Sequence, residues 1–383
     1  MIDVAALSTV TLSRADGPSR ESPRPIAERQ PGYDEGFDWH TLFYDVYRVG
    51  PDIVFQGPPL FNLLPLLQQE KPFRGKFRWP FAKARHVSRD KRGEIWLRST
   101  EDVIVLDGPL GQHQIAVQPN LSSLFAGRRV ITTLSKDNDL RWIADWIRYY
   151  VAVHGAEGVL FYDNASSAYT TDELRRTLQS AFPDIPIAVV AWNFPYGPGG
   201  GIDESGRMLP WDSDYCQVGS LQHARFRFLT TARSVLNVDI DEMVIGTGTR
   251  SVFEAAEATR DGFIKFAGRW ISAATHAPIT WQDRCHRDFV LQDPELDEVC
   301  PPKWAIVPDL AHRHGHTWGV HNLFGSPANL KLTNEFLYRH MRAISTNWKE
   351  PRAHGKIAAT QRHHRDDALL AAFTQACLVE NLD

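Results

Sequence analysis

The stretch that decides the fold is Ser234–Met243, which reads Ser-Val-Leu-Asn-Val-Asp-Ile-Asp-Glu-Met. Its apolar residues predict a buried strand, and Asp239 and Asp241 lie two residues apart near its end. Successive side chains of a strand point to opposite faces, so the two carboxylates would share one face while Ile240 points into the core. Carboxylates at the end of a buried strand are costly unless a positive charge meets them, and a divalent cation would supply it. An acidic turn that merely ends the strand is the structural alternative.

Length and composition are typical of a globular protein. The 383 residues are 43% hydrophobic and 23% charged, which suits one large domain with an appendage, or two domains. The net charge of −4 gives no electrostatic case for nucleic-acid binding, so we expect no nucleic-acid partner. The four cysteines form no CxxC pair, which favours reduced thiols over a zinc site or a disulfide framework.

The sequence carries no signal for membrane insertion or secretion. No apolar run approaches the length needed to span a bilayer. The N-terminus lacks the basic region and following apolar region of a signal peptide. We therefore expect a cytoplasmic protein, with peripheral membrane association left open, and the sequence does not indicate an oligomeric state.

Composition divides the chain into four segments. Residues 1–36, rich in Ser, Arg, Pro and Glu, predict a disordered leader. Short apolar runs broken by Gly and Pro over residues 37–127 predict a mostly β accessory domain. Residues 128–350 carry an alternation of strands and helices, and residues 351–383 predict a helical C-terminal extension.

The alternation after residue 128 predicts an α/β fold whose mostly parallel sheet is flanked by helices. In such sheets ligands bind off the carboxyl ends of the strands, where Asp163 and the acidic pair both fall. Gly155 is expected to end one helix and Thr171 to cap the next. The predicted strands are Val130–Leu134, Val159–Tyr162, Pro186–Trp192, Gly262–Trp270 and Lys303–Val307, and the predicted helices are Leu140–His154, Thr171–Phe182 and Asp214–Thr231.

Three stretches, in order along the chain, resemble glycosyltransferase family 92 and related family 2-like enzymes. The first, residues 131–167, contains Leu140-Arg-Trp-Ile-Ala-Asp-Trp-Ile-Arg-Tyr-Tyr150 and Tyr162-Asp-Asn-Ala-Ser166. The second, residues 222–243, holds Asp-Ile-Asp-Glu and is similar to the metal-binding Asp-x-Asp-Glu of those enzymes. The third, residues 337–349, resembles their late His-Tyr-x-x-Lys-Ser segment. Two positions depart from the pattern, because Asp137-Asn138 replaces an Asn-Glu and Tyr150 replaces a His.

The resemblance implies a GT-A fold, which is Rossmann-like, and transfer of a sugar from a nucleotide-sugar donor to a glycan or other hydroxyl acceptor, with inversion. UDP is the favoured donor nucleotide. Asp241 would bind Mn²⁺ or Mg²⁺, and Asp239 would share the ion or contact the donor ribose. The ion would neutralise the leaving diphosphate.

Five further residues are candidates for binding the donor. Asp163, followed by Asn164, would accept a hydrogen bond from the donor base, and the alternative is an Asx-type turn. Lys136 and Arg225 are candidate phosphate partners, or ordinary surface charges. His340 matches the late His of the family and could touch the diphosphate, or be a buried structural His.

The remaining candidates concern the metal and the acceptor. His321 follows Trp318-Gly319, where GT-A enzymes often bring a His back to the metal. The alternating His312, His314 and His316 are expected at a solvated strand edge. An inverting transfer needs a general base within reach of the acceptor hydroxyl. Asp283 or Asp288, in the acidic stretch Thr280–Cys300, is the candidate base, and Trp270 and Trp281 could stack on acceptor sugar or pack in the core.

Two other classes of function compete with this interpretation. A metal-dependent hydrolase or phosphoesterase would use the same acids and histidines, but two-metal sites need more converging ligands. A relative that binds a nucleotide sugar without turnover is the other, since two positions of the family pattern are altered. Turnover of a bound nucleotide sugar would separate the enzyme from this binding protein.

Overall fold

The computed structural model describes residues 4–15, 17–69, 84–89, 91–203, 205–276, 278–295, 300–311, 316–348 and 352–379. The chain forms two compact units. The large unit comprises Met1–Ala5, Leu124–Ala191 and Leu229–Asp383, and the small unit comprises Ala6–Ser123 and Trp192–Phe228. No helix within the described ranges is long and apolar enough to cross a bilayer.

An eight-stranded sheet forms the centre of the large unit. Its strands are β1 (Arg129–Ser135), β2 (Gly158–Asp163), β3 (Ile187–Ala191), β4 (Ser234–Asn237), β5 (Glu242–Gly246), β6 (Phe263–Ile271), β7 (Cys300–Ile306) and β8 (Phe336–Met341). Their order across the sheet is β3-β2-β1-β4-β7-β6-β8-β5. The first four run parallel, whereas β7 is antiparallel to both of its neighbours and β5 is antiparallel to β8. The α/β class is confirmed, and the sheet is mixed.

Four helices contribute side chains to the same hydrophobic core as the sheet. They are α1 (Leu140–His154), α2 (Thr171–Ala181), α3 (Val252–Glu257) and α4 (Asp367–Gln375). Shorter elements of this unit are the paired strands Ala274–Thr275 with Ile357–Ala358, Leu291–Gln292 with His364–Arg365, and Thr317–Trp318 with Leu323–Phe324. Single helical turns occur at Ser122–Phe125, Trp281–Asp283, His286–Asp288, Pro308–Ala311 and Pro327–Leu330.

Local sequence fixes both ends of α1. The Asp139 side chain accepts a hydrogen bond from the Arg141 N–H at 2.8 Å and so caps the first turn. Gly155 has a φ of 67°, and the N–H groups of Gly155 and Ala156 return to carbonyl oxygens of the last turn. The predicted helix is confirmed over its whole length. At α2 the cap is Thr170, one residue before the predicted Thr171.

His154, the last residue of α1, is buried as a neutral imidazole. Its Nε2 lies 2.7 Å from the Val244 carbonyl oxygen, and its Nδ1 lies 3.3 Å from the Val252 N–H nitrogen. A carbonyl oxygen only accepts and a backbone N–H only donates, so the proton is on Nε2 and the lone pair on Nδ1. Burial lowers the pKa of His154 to about 4. Protonation would therefore cost the contact with Val252.

We expect His154 to make the fold sensitive to mild acid. In the unfolded chain His154 is protonated below about pH 6.5, whereas in the folded chain it stays neutral down to about pH 4. The free energy of unfolding therefore decreases as the pH falls through this window. Between these two pH values His154 accounts for a loss of about 3 kcal/mol in the free energy of unfolding. His154→Gln keeps a donor for the Val244 carbonyl and cannot titrate. Urea unfolding across the window should show a shallower pH dependence for this variant, and equal slopes would contradict the assignment.

The small unit is mostly β. A four-stranded antiparallel sheet has the order Asp45–Val49, Asp52–Gly57, Arg92–Arg98, Arg85–Arg89. Three further strand pairs are Val10–Thr11 with Thr41–Phe43, Val103–Gly108 with Gly111–Ala116, and Gly201–Ile202 with Met208–Leu209. Its helical elements are Ile26–Glu28, Tyr33–Gly36, Leu63–Leu67, Tyr215–His223 and the π-helical turn Ala224–Phe228.

The two units differ in their limits from the segments predicted by composition. Arg20, within the predicted disordered leader, is fully buried and donates to the carbonyl oxygens of Asp38, Thr41 and Pro59 at 2.5–2.7 Å. A polar, arginine-rich stretch can thus be ordered by supplying donors to backbone carbonyl groups. The small unit also takes up residues 192–228 from later in the chain. Local composition does not reveal such a return of the chain.

Candidate functional site

The acidic pair lies in the turn between β4 and β5. Because β4 ends at Asn237, the strand alternation that we used to place Asp239 and Asp241 on one face is wrong. The Glu242 N–H donates to the Asp239 carbonyl oxygen at 3.1 Å, and the Asp239 N–H donates to the Glu242 carboxylate at 2.9 Å. Ile240 is 3% exposed and packs in the core, as predicted. The turn follows β4 at its carboxyl end, and β4 runs parallel to β1.

Lys303, on β7, is a buried cation on one side of this turn. Its Nζ lies 2.7 Å from Asp239 Oδ2 and 2.9 Å from Glu242 Oε2. Burial by itself would lower the pKa of Lys303, but the two carboxylates raise it above its ordinary value. Burial raises the pKa of Glu242 to about 7. At Asp239 burial acts in the same direction, but Lys303 outweighs it and holds the pKa below its usual range.

Arg352 and His340 meet Asp241 on the other side. His340 Nε2 lies 3.2 Å from Asp241 Oδ2, and Arg352 Nη1 contacts both atoms, at 2.7 Å from the His340 nitrogen. A guanidinium can only donate, so the 2.7 Å contact with Arg352, the shorter of the two at His340 Nε2, places a lone pair on that nitrogen, and Asp241 Oδ2 then approaches it as a second acceptor. A carboxylate oxygen and an imidazole nitrogen therefore converge on a single cationic N–H group.

Trp270 fixes the plane of the His340 ring. In the sheet, His340 on β8 lies between Trp270 on β6 and Glu242 on β5. The two rings stack with centroids 4.0 Å apart and an interplanar angle of 12°. The guanidinium groups of Arg342 and Arg352 lie 4.6 and 5.5 Å from the Trp270 ring centroid. One face of Trp270, a residue we considered for sugar stacking, is thus taken by His340.

The stretch that holds both candidate bases is tied to the acidic turn. His286 is fully buried, and its Nε2 donates to the Ile240 carbonyl oxygen at 2.8 Å. Asp288 accepts the Cys285 N–H at 2.7 Å and so caps a short helical turn. Asp283 is exposed, at the end of the turn before it. Of the two candidates, Asp288 therefore has a structural task and Asp283 faces solvent.

The loops that follow β1 and β2 are hydrogen-bonded to each other. Asp163, 2% exposed, accepts from Ser166 Oγ at 2.5 Å and from Thr171 Oγ1 at 3.4 Å, and burial raises its pKa. Asp137, with a φ of 55°, accepts the Ala168 N–H at 2.9 Å. The Asp163 carboxylate is thus bound by the hydroxyl groups of two residues that follow it in the chain.

The other predicted residues are more scattered. The backbone N–H of Asn164 donates to the Ser135 carbonyl oxygen at 2.8 Å, and Lys136 Nζ lies 5.7 Å from the Trp348 ring centroid. His321 Nδ1 lies 3.0 Å from the Pro302 carbonyl oxygen. Arg225 belongs to the small unit, where burial and the neighbouring Arg92 lower its pKa to about 10. His312 and His314 lie outside the described residues, and His316 is partly buried.

A preformed metal cage is absent from the described residues, which contain no group of three or more His, Cys, Asp or Glu side chains able to hold an ion. Mg²⁺ is often bound through one or two carboxylates together with substrate phosphates, so a complete cage is not required. Asp241 Oδ2 and His340 Nε2 are potential ligands that the structure brings together, and the Arg352 guanidinium contacts both of them. His340, which we predicted to contact the diphosphate, is in contact with Asp241 in the structure.

Sequence reasoning missed three members of this cluster. They are Lys303, Glu242 as a partner of Lys303, and Arg352. Of the three, only Lys303 could have been recognised in the sequence. It directly precedes the apolar run Trp304–Ile306, and a lysine in such a strand is rarely buried unless it is paired with an acid.

Comparison with known proteins gives weak likenesses only. Neither a protein-family model nor a curated protein matches the chain. Among solved structures it is similar to the mannosyltransferase Ktr4p from S. cerevisiae, with 15% identity, 40% of this chain and 41% of that chain covered, and a TM-score of 0.25. The WbbM bifunctional glycosyltransferase is 12% identical, with 42% of this chain and 27% of that chain covered and a TM-score of 0.27. The galactosyltransferase LgtC, in complex with donor and acceptor sugar analogs, is 14% identical, with 48% of this chain and 60% of that chain covered and a TM-score of 0.25.

The chain covers less than two thirds of each of these three proteins. At such TM-scores the likenesses carry no argument.

Proposed function

We propose that the chain is a glycosyltransferase of the GT-A type that moves a sugar from a nucleotide donor, UDP-linked, to a hydroxyl of a glycan or another acceptor. The observation that carries the proposal is the acidic turn with its converging partners Asp241, His340 and Arg352. Binding of a diphosphate requires positive charge. The turn brings together the Arg352 guanidinium, which is a cation, and two atoms able to bind a metal ion, Asp241 Oδ2 and His340 Nε2.

The order of the strands supports a nucleotide site at this turn. From β1 the chain proceeds to β2 and β3 on one side, and then returns to place β4 on the other side of β1. Ligands of open α/β sheets bind at such a reversal, beyond the carboxyl ends of the two central strands. The segments leaving β1 and β4 there are the Lys136–Asn138 loop and the acidic turn.

Each residue of the turn has a distinct task in this proposal. A divalent cation bound by Asp241 and His340 would neutralise the charge that develops on the leaving diphosphate. The Asp239 side chain is 33% exposed, and Lys303 holds it in place, so it can accept a hydrogen bond from the donor ribose. Lys303 balances the buried charge of Glu242 and fixes the turn.

The loops after β1 and β2 are proposed to receive the nucleoside. Asp163 acts here by fixing the loop through Ser166, and the adjacent Asn164 is tied to the end of β1 by its N–H, which donates to the Ser135 carbonyl oxygen. Positive φ angles at Asp137 and Ala165 are unusual for residues other than glycine. Such conformations persist where the surroundings impose them, as at binding loops.

On the acceptor side we propose Asp283 as the general base of an inverting transfer. It is exposed, whereas Asp288 is engaged as a cap. His286 holds the same stretch against the acidic turn through the Ile240 carbonyl oxygen. A two-metal hydrolase is not supported, because the described residues lack the additional converging ligands.

Nucleotide binding tests this function directly. We expect the thermal unfolding of the purified protein to shift upward with UDP or a UDP-sugar in the presence of Mn²⁺, and less with GDP or CMP. At a ligand concentration of about 100 times Kd the gain is about 2.7 kcal/mol. EDTA should reduce the shift, and incubation with a hydroxyl acceptor should release UDP. Absence of a shift with all three nucleotides, with and without Mn²⁺, would refute the proposal, and stabilisation without turnover would indicate a binding protein.

A further inference from the structure

We infer that Arg352 is an internal cation that competes with the divalent metal for Asp241 and His340, and that the donor diphosphate relieves this competition. The inference rests on the proposed function and extends it. It makes the metal and the nucleotide bind cooperatively, through a residue that sequence patterns did not indicate.

The competition follows from the geometry of three atoms. Arg352 Nη1 is in contact with Asp241 Oδ2 and lies 2.7 Å from His340 Nε2. These two acceptors are only 3.2 Å apart, which is a normal separation for two atoms bound to one ion at 2.0–2.3 Å. The guanidinium therefore uses the same lone pairs that a metal would need, and the two cations cannot bind there together.

Surrounding groups keep Arg352 in this position. Its guanidinium lies 5.5 Å from the Trp270 ring centroid, and the same ring stacks on His340. Asp241 is 12% exposed and cannot rely on water to balance its charge. Asp239 and Glu242 are held by Lys303, so Arg352 is the guanidinium that the structure gives to Asp241.

A metal that displaces Arg352, whose side chain is 23% exposed, must break the ion pair between Arg352 and Asp241. If no nucleotide is present, this loss opposes metal binding. If a diphosphate is present, it offers charged oxygens that suit a guanidinium in place of Asp241. Metal and nucleotide should then strengthen each other's binding by the same factor, which is the requirement of thermodynamic linkage.

The experiment measures this coupling factor without an assay of activity. The affinity for Mn²⁺ is determined by electron paramagnetic resonance with and without UDP, in the full chain and in Arg352→Met. In the unaltered protein UDP should raise the Mn²⁺ affinity by about tenfold or more. In Arg352→Met the Mn²⁺ affinity without UDP should rise by about tenfold, and the effect of UDP should shrink towards unity.

Two further variants serve as controls. Arg352→Lys keeps the charge but not the fork of donors, and should give an intermediate Mn²⁺ affinity. Arg342→Met removes the guanidinium that lies 4.6 Å from the centroid of the same Trp270 ring, and should leave the Mn²⁺ affinity near that of the unaltered protein.

The outcomes separate this inference from the proposed function. An unchanged or weaker Mn²⁺ affinity in Arg352→Met, or no Mn²⁺ binding by either protein, would overturn the competition even if UDP binds. Failure of UDP to bind, together with a rise in Mn²⁺ affinity in Arg352→Met, would support the competition and refute the nucleotide-sugar function.

Discussion

Lys303→Met should lower the free energy of unfolding by about 3–5 kcal/mol, the largest loss of stability that we expect from one substitution in this chain. Lys303 is fully buried, and it is bound to the carboxylates of Asp239 and Glu242 at 2.7 and 2.9 Å. Removal of the cation leaves the buried Glu242 carboxylate and the partly exposed Asp239 carboxylate without the counter-ion that they share, and methionine replaces the volume of the lysine side chain but not its charge. Denaturant unfolding followed by circular dichroism measures the loss.

A second lysine provides a matched control. Lys265 lies on β6, opposite Trp304 in the register with β7, and its Nζ donates to neutral acceptors, Asn322 Oδ1 at 2.6 Å and the Asn329 carbonyl oxygen at 3.1 Å. Lys265→Met strands no carboxylate, so it should cost about 1–2 kcal/mol. The double variant Lys303→Met/Glu242→Gln should recover part of the loss, because it removes one stranded charge. Equal losses for the two lysine variants would show that charge balance is not what Lys303 supplies.

Where a structural element is specified by neighbouring residues, the sequence was sufficient to predict it. Leu140–His154 has helical periodicity, an Asp before it and a Gly after it, and the helix has those limits. The short apolar runs of β1, β2 and β3 were recognised in the same way. Pairing between distant strands leaves no such local signature, so the antiparallel pairings of β7 and β5 and the return of residues 192–228 to the small unit were not predicted.

The candidate site divides along the same line. Asp239 and Asp241 stand together in an unusual motif, and they do lie at the end of a central strand. Their cationic partners come from far along the chain, Lys303 from β7 and Arg352 from beyond β8, and only the folded chain brings them together. His340 was recognised as a donor-site residue, but its contact with Asp241 depends on the register of β8 against β5. The sequence thus identifies the acidic residues of the site more readily than the cationic residues that neutralise them.

Asp241→Asn should reduce sugar transfer by about a thousandfold, which corresponds to about 4 kcal/mol of transition-state stabilisation, while the fold stays intact. Asparagine keeps the shape of the side chain and an oxygen that can accept from Arg352, but it removes the negative charge. The backbone carbonyl of Asp241 still accepts the Met341 N–H at 2.8 Å, so the turn should keep its position. We expect the free energy of unfolding to change by no more than about 1 kcal/mol.

The informative comparison is between activity and binding in this variant. Loss of the charge should weaken Mn²⁺ binding as well as transfer, whereas a residue that serves only the fold would change stability first. Asp172→Asn, at an exposed carboxylate in the first turn of α2, is the control and should change neither quantity. Transfer that survives in purified Asp241→Asn would place the reaction elsewhere in the large unit. Lost transfer with unchanged Mn²⁺ affinity would instead leave Asp241 with the task of holding Arg352, because the substitution also weakens the ion pair between the two residues.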